Sequence, residues 1–109
     1  MGKTVLGGFE HLVLLSVLRL ESEAYSLPIV LDLEESTGRT MSPSKVYVTL
    51  RRLETAGLVR SRFVPPPDGE GGRERRMFAL EPDGLRLLRE SKATLTRLWD
   101  GLPALDATP

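Results

Sequence analysis

The chain has 109 residues, 40% of them apolar and 28% charged, which is typical of one globular domain with a modest core. It contains no cysteine and one histidine, which excludes disulfides, cysteine nucleophiles and thiolate zinc sites. We therefore expect neither a metal nor a cofactor. Fifteen basic and fifteen acidic residues give a formal net charge of zero, which by itself argues against nucleic-acid binding.

The charges are unevenly distributed along the chain. Residues 39–76 contain nine basic and four acidic side chains, a net +5, whereas the rest contains six basic and eleven acidic ones, a net −5. A neutral protein with this segregation has a locally basic surface, and the local potential is what a phosphate meets. The alternative is that these arginines only solvate an ordinary surface.

The segment from Phe9 to Leu20 predicts the first helix, with apolar residues on almost all of its sides. Such a helix packs on several sides at once, which favours contact with a second subunit through Phe9 and Leu12 as well as with its own core. Polar residues interrupt the segment, so it is neither a membrane span nor a signal peptide, and we expect a cytoplasmic protein without a membrane partner. We interpret His11 as a structural or surface residue, because the sequence offers it no catalytic partner.

A second helix is predicted after the polar turn 21–24, with Ser26 as its cap, Pro28 in its first turn and Gly38 at its end. A short connection then leads to Ser42, where the next helix begins. Two amphipathic helices joined by a short turn containing glycine are typical of a helix-turn-helix. The same pattern also occurs in proteins that do not bind DNA.

The third helix, predicted over residues 43–56, has the strongest local signals. Ser42 is a capping residue, and Pro43 suits the first helical position, where no N–H is needed. Apolar side chains recur on one face at spacings of four and three residues, which leaves polar and basic side chains on the other face. A capped helix with a basic outer face suits the major groove of DNA.

The chemistry of the side chains along this helix assigns their expected roles. Hydroxyl groups and an ammonium near a helix N-terminus are expected to bind phosphate. These groups belong to Ser42, Ser44, Tyr47 and Lys45. Methyl groups and cations suit base edges, because they contact thymine and guanine respectively. The candidates are Lys45, Val48, Thr49 and Arg52. The alternative for Tyr47 is that its ring only flanks the core.

Two strands are predicted over residues 58–64 and about 73–80, on either side of a segment rich in proline and glycine. Together they predict a β-hairpin with a long tip, the wing at 65–73, which would contact the DNA backbone or minor groove through Arg73 and Arg75. The tip is not a phosphate loop of the NTPase kind, because it lacks a Gly-Lys-Ser/Thr ending and does not lead into a helix.

The last predicted helix begins near Pro82 and carries leucines with near-heptad spacing. A terminal helix with such a stripe covers its own domain or pairs with a partner, and two-fold pairing supplies half-site geometry on DNA. The predicted dimer interface comprises Phe9, Leu12, Leu85, Leu88, Leu95, Leu98, Trp99 and Leu102. We interpret Trp99 as an interface anchor, with a wall of a ligand pocket between subunits as the alternative.

These elements predict a mainly α fold with a small β-hairpin, namely a winged helix-turn-helix followed by a C-terminal dimerisation helix. Residues 1–81 would form the DNA-binding domain, 82–102 the dimerisation helix and 103–109 a disordered tail. An enzyme is the least favoured class. The carboxylates of Glu34 and Glu35 are adjacent and are explained by a solvated helix face.

The order of short motifs over about residues 6–102 resembles the PadR family of bacterial transcriptional regulators. The most specific stretch is Val-Tyr-x-x-Leu-x-x-Leu-Glu-x-x-Gly-Leu-Val at residues 46–59. The single C-terminal helix resembles the compact branch of the family. The chain departs from the family pattern where Ser26 replaces a glycine and where Met77-Phe78 and Glu81 replace a tyrosine pair and a capping threonine.

This resemblance implies a homodimeric winged-helix repressor, often autoregulatory or controlling neighbouring transporter or stress genes. In compact members the C-terminal helices form much of the dimer interface, and some hold flat aromatic ligands between tryptophans of the two subunits. Trp99 lies in a comparable place. The expected partners are therefore double-stranded DNA with a palindromic operator, a second copy of the chain and a small aromatic effector. The alternative is a winged-helix protein-interaction module that does not bind DNA.

Overall fold

The computed structural model describes residues 6–66 and 71–102. The elements within these ranges are α1 (Gly8–Leu20), a short 3-10 turn (Glu21–Glu23), α2 (Ser26–Thr37), α3 (Pro43–Thr55), β1 (Val59–Val64), β2 (Arg75–Leu80) and α4 (Pro82–Trp99). The predicted fold class, mainly helical with one β-hairpin, is confirmed. Residues 67–70 of the predicted wing and the predicted tail at 103–109 lie outside the described residues.

The core lies between α1, α2 and α3, and the hairpin and the first half of α4 close it. Each of the three helices contributes fully buried apolar side chains. They include Val13, Leu14, Ile29, Val46, Leu50 and Leu53. Phe78 of β2 is also buried, and its backbone N–H donates a 2.8 Å hydrogen bond to the Ala24 carbonyl. This bond attaches the hairpin to the segment between α1 and α2.

Capping chemistry sets the ends of α2 and α3. The Ser42 hydroxyl accepts a hydrogen bond from the Lys45 N–H at 3.2 Å, so the predicted cap of α3 is confirmed. Gly38 ends α2 in the left-handed conformation, with a φ of 70°, as predicted. The predicted cap of α2 is wrong, because Ser26 is its first helical residue and Tyr25 holds the extended cap position without a side-chain bond.

The chain leaves α3 through a glycine turn that directs it into β1. Gly57 has a φ of 80°, and its N–H donates to the Glu54 carbonyl at 3.0 Å. The Leu58 N–H donates to the Leu53 carbonyl, also at 3.0 Å. These two bonds form a Schellman motif, which satisfies carbonyl groups that the end of a helix leaves free. The predicted stop at Gly57 is therefore confirmed.

The hairpin is antiparallel, with Val59 opposite Leu80 at its base and Val64 opposite Arg75 towards its tip. Both strands are shorter than predicted, since β1 begins at residue 59 and β2 at residue 75. Leu58, the residue before β1, belongs to the turn that ends α3. The residues before β2 belong to the glycine-containing connection from the tip.

The first turn of α4 packs tightly on the base of the hairpin. The helix begins at Pro82, as predicted, and the Glu81 N–H before it donates to the Leu58 carbonyl at 2.9 Å. A Cβ atom built on Gly84 would lie 2.1 Å from the same carbonyl oxygen. Only glycine therefore permits this approach of helix to strand.

The apolar stripe of α4 is buried in the first half of the helix and exposed in the second. Leu88 is 4% exposed and packs in the core of its own domain, so the prediction that it lies in a dimer interface is wrong. Ser91 is also buried, and its hydroxyl oxygen lies 3.1 Å from Nδ1 of His11. This contact gives His11 a structural place between α1 and α4. The helix ends at Trp99, and Leu102 follows in a turn.

Candidate nucleic-acid interface

α3 has one face in the core and one face open to solvent. Its buried stripe contains Val46, Leu50 and Leu53. The opposite face carries hydroxyl, aromatic and basic side chains and one valine, all of them exposed. These residues are Ser42, Ser44, Lys45, Tyr47, Val48, Arg51 and Arg52. Backbone N–H groups of the first turn, which have no partner within the helix, add a partial positive charge at the same end.

Thr49 does not belong to this exposed face. Its side chain is 3% exposed, and it lies beside the buried stripe of α3. The prediction that Thr49 reads a base edge is therefore corrected, because neither the methyl group nor the hydroxyl of a buried side chain can reach the groove. The signal was available in the sequence, since residues 46, 49, 50 and 53 have the full three- and four-residue spacing of one helical face.

Lys45 lies at the edge of the exposed face and contacts α1. Its Nζ lies 4.5 Å from the centroid of the Phe9 ring, which is a cation–π distance. Phe9 is half-buried against the core, so its ring is engaged at least partly within its own domain. The cation–π contact fixes the direction of the Lys45 stem while its ammonium stays accessible.

Tyr47 and Arg51 form a pair on the exposed face of α3. The Tyr47 side chain is 37% exposed, and its hydroxyl accepts a hydrogen bond from Nη1 of Arg51 at 3.3 Å. Arg51 Nε lies 3.3 Å from Oε1 of Glu54. The hydrogen bond with Tyr47 and the nearby charge of Glu54 raise the pKa of Arg51 above its ordinary value, so this guanidinium remains cationic. Arg51 was not among the predicted DNA-binding residues, although the helical spacing places it outward.

The arginines of the hairpin have different surroundings. Arg60, at the base, donates to the Leu80 carbonyl and to Glu81, both at 2.9 Å. Arg75 places its guanidinium 4.7 Å from the centroid of the Tyr25 ring. Arg73 is exposed just before β2. Both predicted wing contacts are thus on the arm that returns from the tip, next to the part of the wing outside the described residues.

Two groups of large apolar side chains, on α4 and on α1, are exposed. On α4 and just after it, Leu98 and Trp99 are 66% and 52% exposed, and they line a shallow depression together with Leu95 and Leu102. On α1 the exposed stripe comprises Leu12, Leu15 and Leu18. Leu15 and Leu18 were not predicted for an interface, although the sequence shows them three and six residues after Leu12. Leu85 is half-buried beside Leu18.

Two kinds of site are absent from the described ranges. Residues 6–66 and 71–102 contain no group of three or more His, Asp or Glu side chains placed to hold a metal ion. None of the helices described in those ranges is both long and apolar enough to cross a membrane.

Known proteins share the fold that places this exposed basic helix beside a two-stranded hairpin. The profile of the transcriptional regulator PadR-like family matches residues 14–90, more than half of the chain. The chain belongs to this family. The resemblance predicted from the sequence motifs is therefore confirmed. A comparison with curated proteins found no match.

Solved structures agree with the PadR assignment. The crystal structure of a PadR family transcriptional regulator from Eggerthella lenta DSM 2243 is 33% identical, with 90% of this chain and 83% of that one covered and a TM-score of 0.65. A PadR-like transcriptional regulator from Bacillus cereus strain ATCC 14579 is 17% identical over 93% of each chain, with a TM-score of 0.70. A Streptococcus transcriptional regulator is 23% identical over 90% and 91% of the two chains, also with a TM-score of 0.70. The last two show the fold alone.

The chain is thus a PadR-family transcriptional regulator with a winged-helix fold. The family is one of regulators rather than of enzymes. PadR-family regulators bind DNA, and the exposed face of α3 has chemistry that suits that activity.

Proposed function

We propose that the protein is a homodimeric repressor that binds a palindromic operator, with α3 in the major groove and the wing at 65–73 on the backbone or in the minor groove. The observation that carries this proposal is the exposed basic face of α3, which is backed by a buried stripe. Burial of the opposite face holds the helix on the domain, so the exposed face is available to DNA without any unfolding.

The proposed contacts of α3 follow from exposure and chemistry. Phosphates would be bound at the start of the helix by hydroxyls, backbone N–H groups and the ammonium held over Phe9. The residues are Ser42, Ser44, Lys45 and Tyr47. Base edges would be read by the exposed apolar and cationic side chains further along the outer face. The residues are Val48 and Arg52, with Lys45 able to serve either role. Thr49 is left out because it is buried.

The wing would supply contacts on a neighbouring stretch of the backbone. Arg73 is exposed, and Arg75 is oriented by its contact with the Tyr25 ring. Guanidinium groups on a wing suit phosphate or a narrow minor groove. The wing therefore adds affinity that depends little on base sequence.

The exposed apolar surface supports a homodimer. Four large apolar side chains, Leu95, Leu98, Trp99 and Leu102, are exposed together at the end of α4, and a clustered apolar patch of this kind is typical of a protein interface. An isologous interface built from the second half of α4, with Leu12 and its neighbours on α1, would cover it and relate two α3 helices by a two-fold axis. Such an axis matches a palindromic operator.

Trp99 has two proposed roles within that interface. The first is an apolar anchor between subunits, and the second is one wall of a pocket for a flat aromatic effector. Fluorescence separates the two proposals, because Trp99 is the single tryptophan. Quenching by planar aromatic compounds supports the pocket, and emission unchanged by any such compound leaves the anchor.

The test of the proposed function is binding to the promoter region of the protein's own gene, measured by fluorescence anisotropy against a scrambled duplex of equal composition. We expect preference for the promoter and a steep loss of affinity between about 50 and 200 mM salt. Repression is tested by placing the same fragment upstream of a reporter. If no sequence preference appears at low salt, the winged-helix interaction module replaces the proposal.

A further inference from the structure

Glu54 lies where α3, β1 and β2 meet, and it contacts side chains from each of them. We propose that Glu54 is a positioning residue that fixes the hairpin relative to α3, so that the recognition helix and the wing meet DNA as one rigid unit. This inference depends on the DNA-binding function proposed above. It concerns a residue whose carboxylate faces Ser61 and Arg76 of the hairpin and is not itself expected to touch DNA.

Hydrogen bonds and an ion pair join the two strands to α3. The Ser61 hydroxyl on β1 donates to Oε2 of Glu54 at 2.7 Å. On β2, Nη1 of Arg76 donates to the Ser61 oxygen at 3.0 Å and lies 3.6 Å from Oε1 of Glu54. A carboxylate, a hydroxyl and a guanidinium from three elements thus close one small cluster. The guanidinium of Arg76 also lies 4.4 Å from the centroid of the Phe63 ring, its neighbour across the hairpin.

The same carboxylate is connected to the exposed face of α3. Oε1 of Glu54 faces the guanidinium of Arg51, whose Nη1 donates to the Tyr47 hydroxyl. Contacts therefore run without a break from Tyr47, on the side proposed to meet phosphate, to Arg76 on the returning arm of the hairpin. A shift of the hairpin would therefore disturb the orientation of Arg51 and Tyr47. A change in the orientation of these two side chains would likewise disturb the hairpin.

The position of the cluster along the hairpin matters. Backbone hydrogen bonds from Phe78 and Glu81 hold the base of the hairpin. Arg76, opposite Phe63, lies one pair from the end of the ladder nearest the tip. The cluster therefore adds a side-chain attachment that runs from Ser61, the pair of Phe78, outward to Arg76, beyond the backbone bonds at the base.

Stability alone does not explain this cluster. Oε1 of Glu54 and Nε of Arg76 are buried without a hydrogen-bond partner, and their side chains are mostly covered. An ion pair that leaves a buried donor and acceptor unsatisfied adds little to the free energy of unfolding, because desolvation offsets the attraction. Packing of the apolar core supplies stability. What the cluster supplies is a fixed angle between α3 and the hairpin.

The decisive variant is Glu54→Gln, because a purely electrostatic role and a positioning role predict opposite changes in DNA affinity. Removal of a carboxylate from a basic surface should strengthen DNA binding if only charge matters. If Glu54 positions the wing, binding should weaken, and the plot of log affinity against log salt should become shallower by about 0.9 for each phosphate that the wing no longer neutralises. At 0.15 M salt each such phosphate corresponds to roughly a fivefold loss of affinity. Two wings of a dimer would lose roughly 25-fold.

Two further variants separate positioning from folding and from charge. Glu74→Gln removes the same charge from an exposed place on the hairpin arm, and it should bind DNA at least as tightly as the wild type with an unchanged salt slope. Ser61→Ala removes the bridging hydroxyl without changing any charge, and it should make the slope shallower in the same direction as Glu54→Gln. Circular dichroism and the unfolding midpoint show whether each variant is folded. If Glu54→Gln does not fold, Ser61→Ala decides the question.

Each outcome has one meaning. Weaker binding with a shallower slope in Glu54→Gln and Ser61→Ala supports the inference. Unchanged or tighter binding, or weaker binding with an unchanged slope, overturns it, since a merely structural role would not change how many phosphates the protein neutralises. A wild-type protein that shows no preference for its promoter overturns the proposed function instead, and the inference with it.

Discussion

Gly84 allows α4 to cross the base of the hairpin at close range, and Gly84→Ala tests how close that approach is. The new methyl carbon would lie 2.1 Å from the Leu58 carbonyl oxygen and 3.0 Å from Cδ2 of Leu80. An ordinary contact begins at 3.4 Å, so the gap to a backbone oxygen must open by about 1.3 Å. Overpacking of this kind costs roughly 1–3 kcal/mol or more, and the hydrogen bond from Glu81 to Leu58 is stretched as well.

The better helix propensity of alanine offsets this cost by about 0.5–1 kcal/mol. We therefore expect Gly84→Ala to lower the free energy of unfolding by about 2–3 kcal/mol, and Tm by roughly 10–15 °C. Thermal and urea unfolding followed by circular dichroism measure both. Gly8→Ala is the matched control, because a Cβ on Gly8 meets nothing within 4 Å. If Gly84→Ala were as stable as Gly8→Ala, the close packing of α4 on the hairpin would be refuted.

Three substitutions test the assignment of surfaces. Arg52→Ala should weaken operator binding by about 1–3 kcal/mol in anisotropy titrations, and an unchanged affinity would remove Arg52 from the base-reading residues. Thr49→Val should leave operator affinity within about twofold of the wild type, because Thr49 is buried; a larger loss would restore it as a DNA contact. Leu98→Asp should raise the dimer dissociation constant by roughly thirtyfold or more in sedimentation velocity, and a dimer of unchanged strength would exclude α4 from the interface.

Local chemistry made much of the fold predictable. Ser42, Pro43 and Gly57 act through their own backbone and nearest neighbours, so their residue types are sufficient to place the ends of α3. Ser26 shows the limit of that reasoning. A serine near the start of a helix need not be its N-cap. Here Tyr25 has the extended backbone of the cap position, and Ser26 is the first helical residue.

Predictions of which side chains on a helix are buried and which are exposed were less accurate. Thr49 and Leu88 both lie on stripes whose other members were recognised, yet each was assigned to an exposed surface. The assignment of Thr49 rests on its methyl group and that of Leu88 on its heptad position, whereas burial depends on what the rest of the fold places against that face.

The cluster around Glu54 could not be predicted from the sequence. Ser61 lies 7 residues from Glu54 and 15 from Arg76, and the three meet only because the glycine turn and the hairpin register bring them together. No periodic pattern in the sequence predicts this contact, because the register of the hairpin depends on its turn and on which strand residues are buried in the core.

α4 contains neither glycine nor proline between Leu85 and Trp99, so nothing in its sequence provides a hinge between its buried and exposed halves. The helix therefore behaves as a rod, anchored at Gly84 and free at Trp99. The direction in which its free end points is set by residue count. One residue inserted between Leu88 and Leu95 would turn that end by about 100° and advance it by about 1.5 Å. In the proposed dimer, the distance between the two DNA-binding surfaces would consequently depend on the length of α4 and change in steps of one residue.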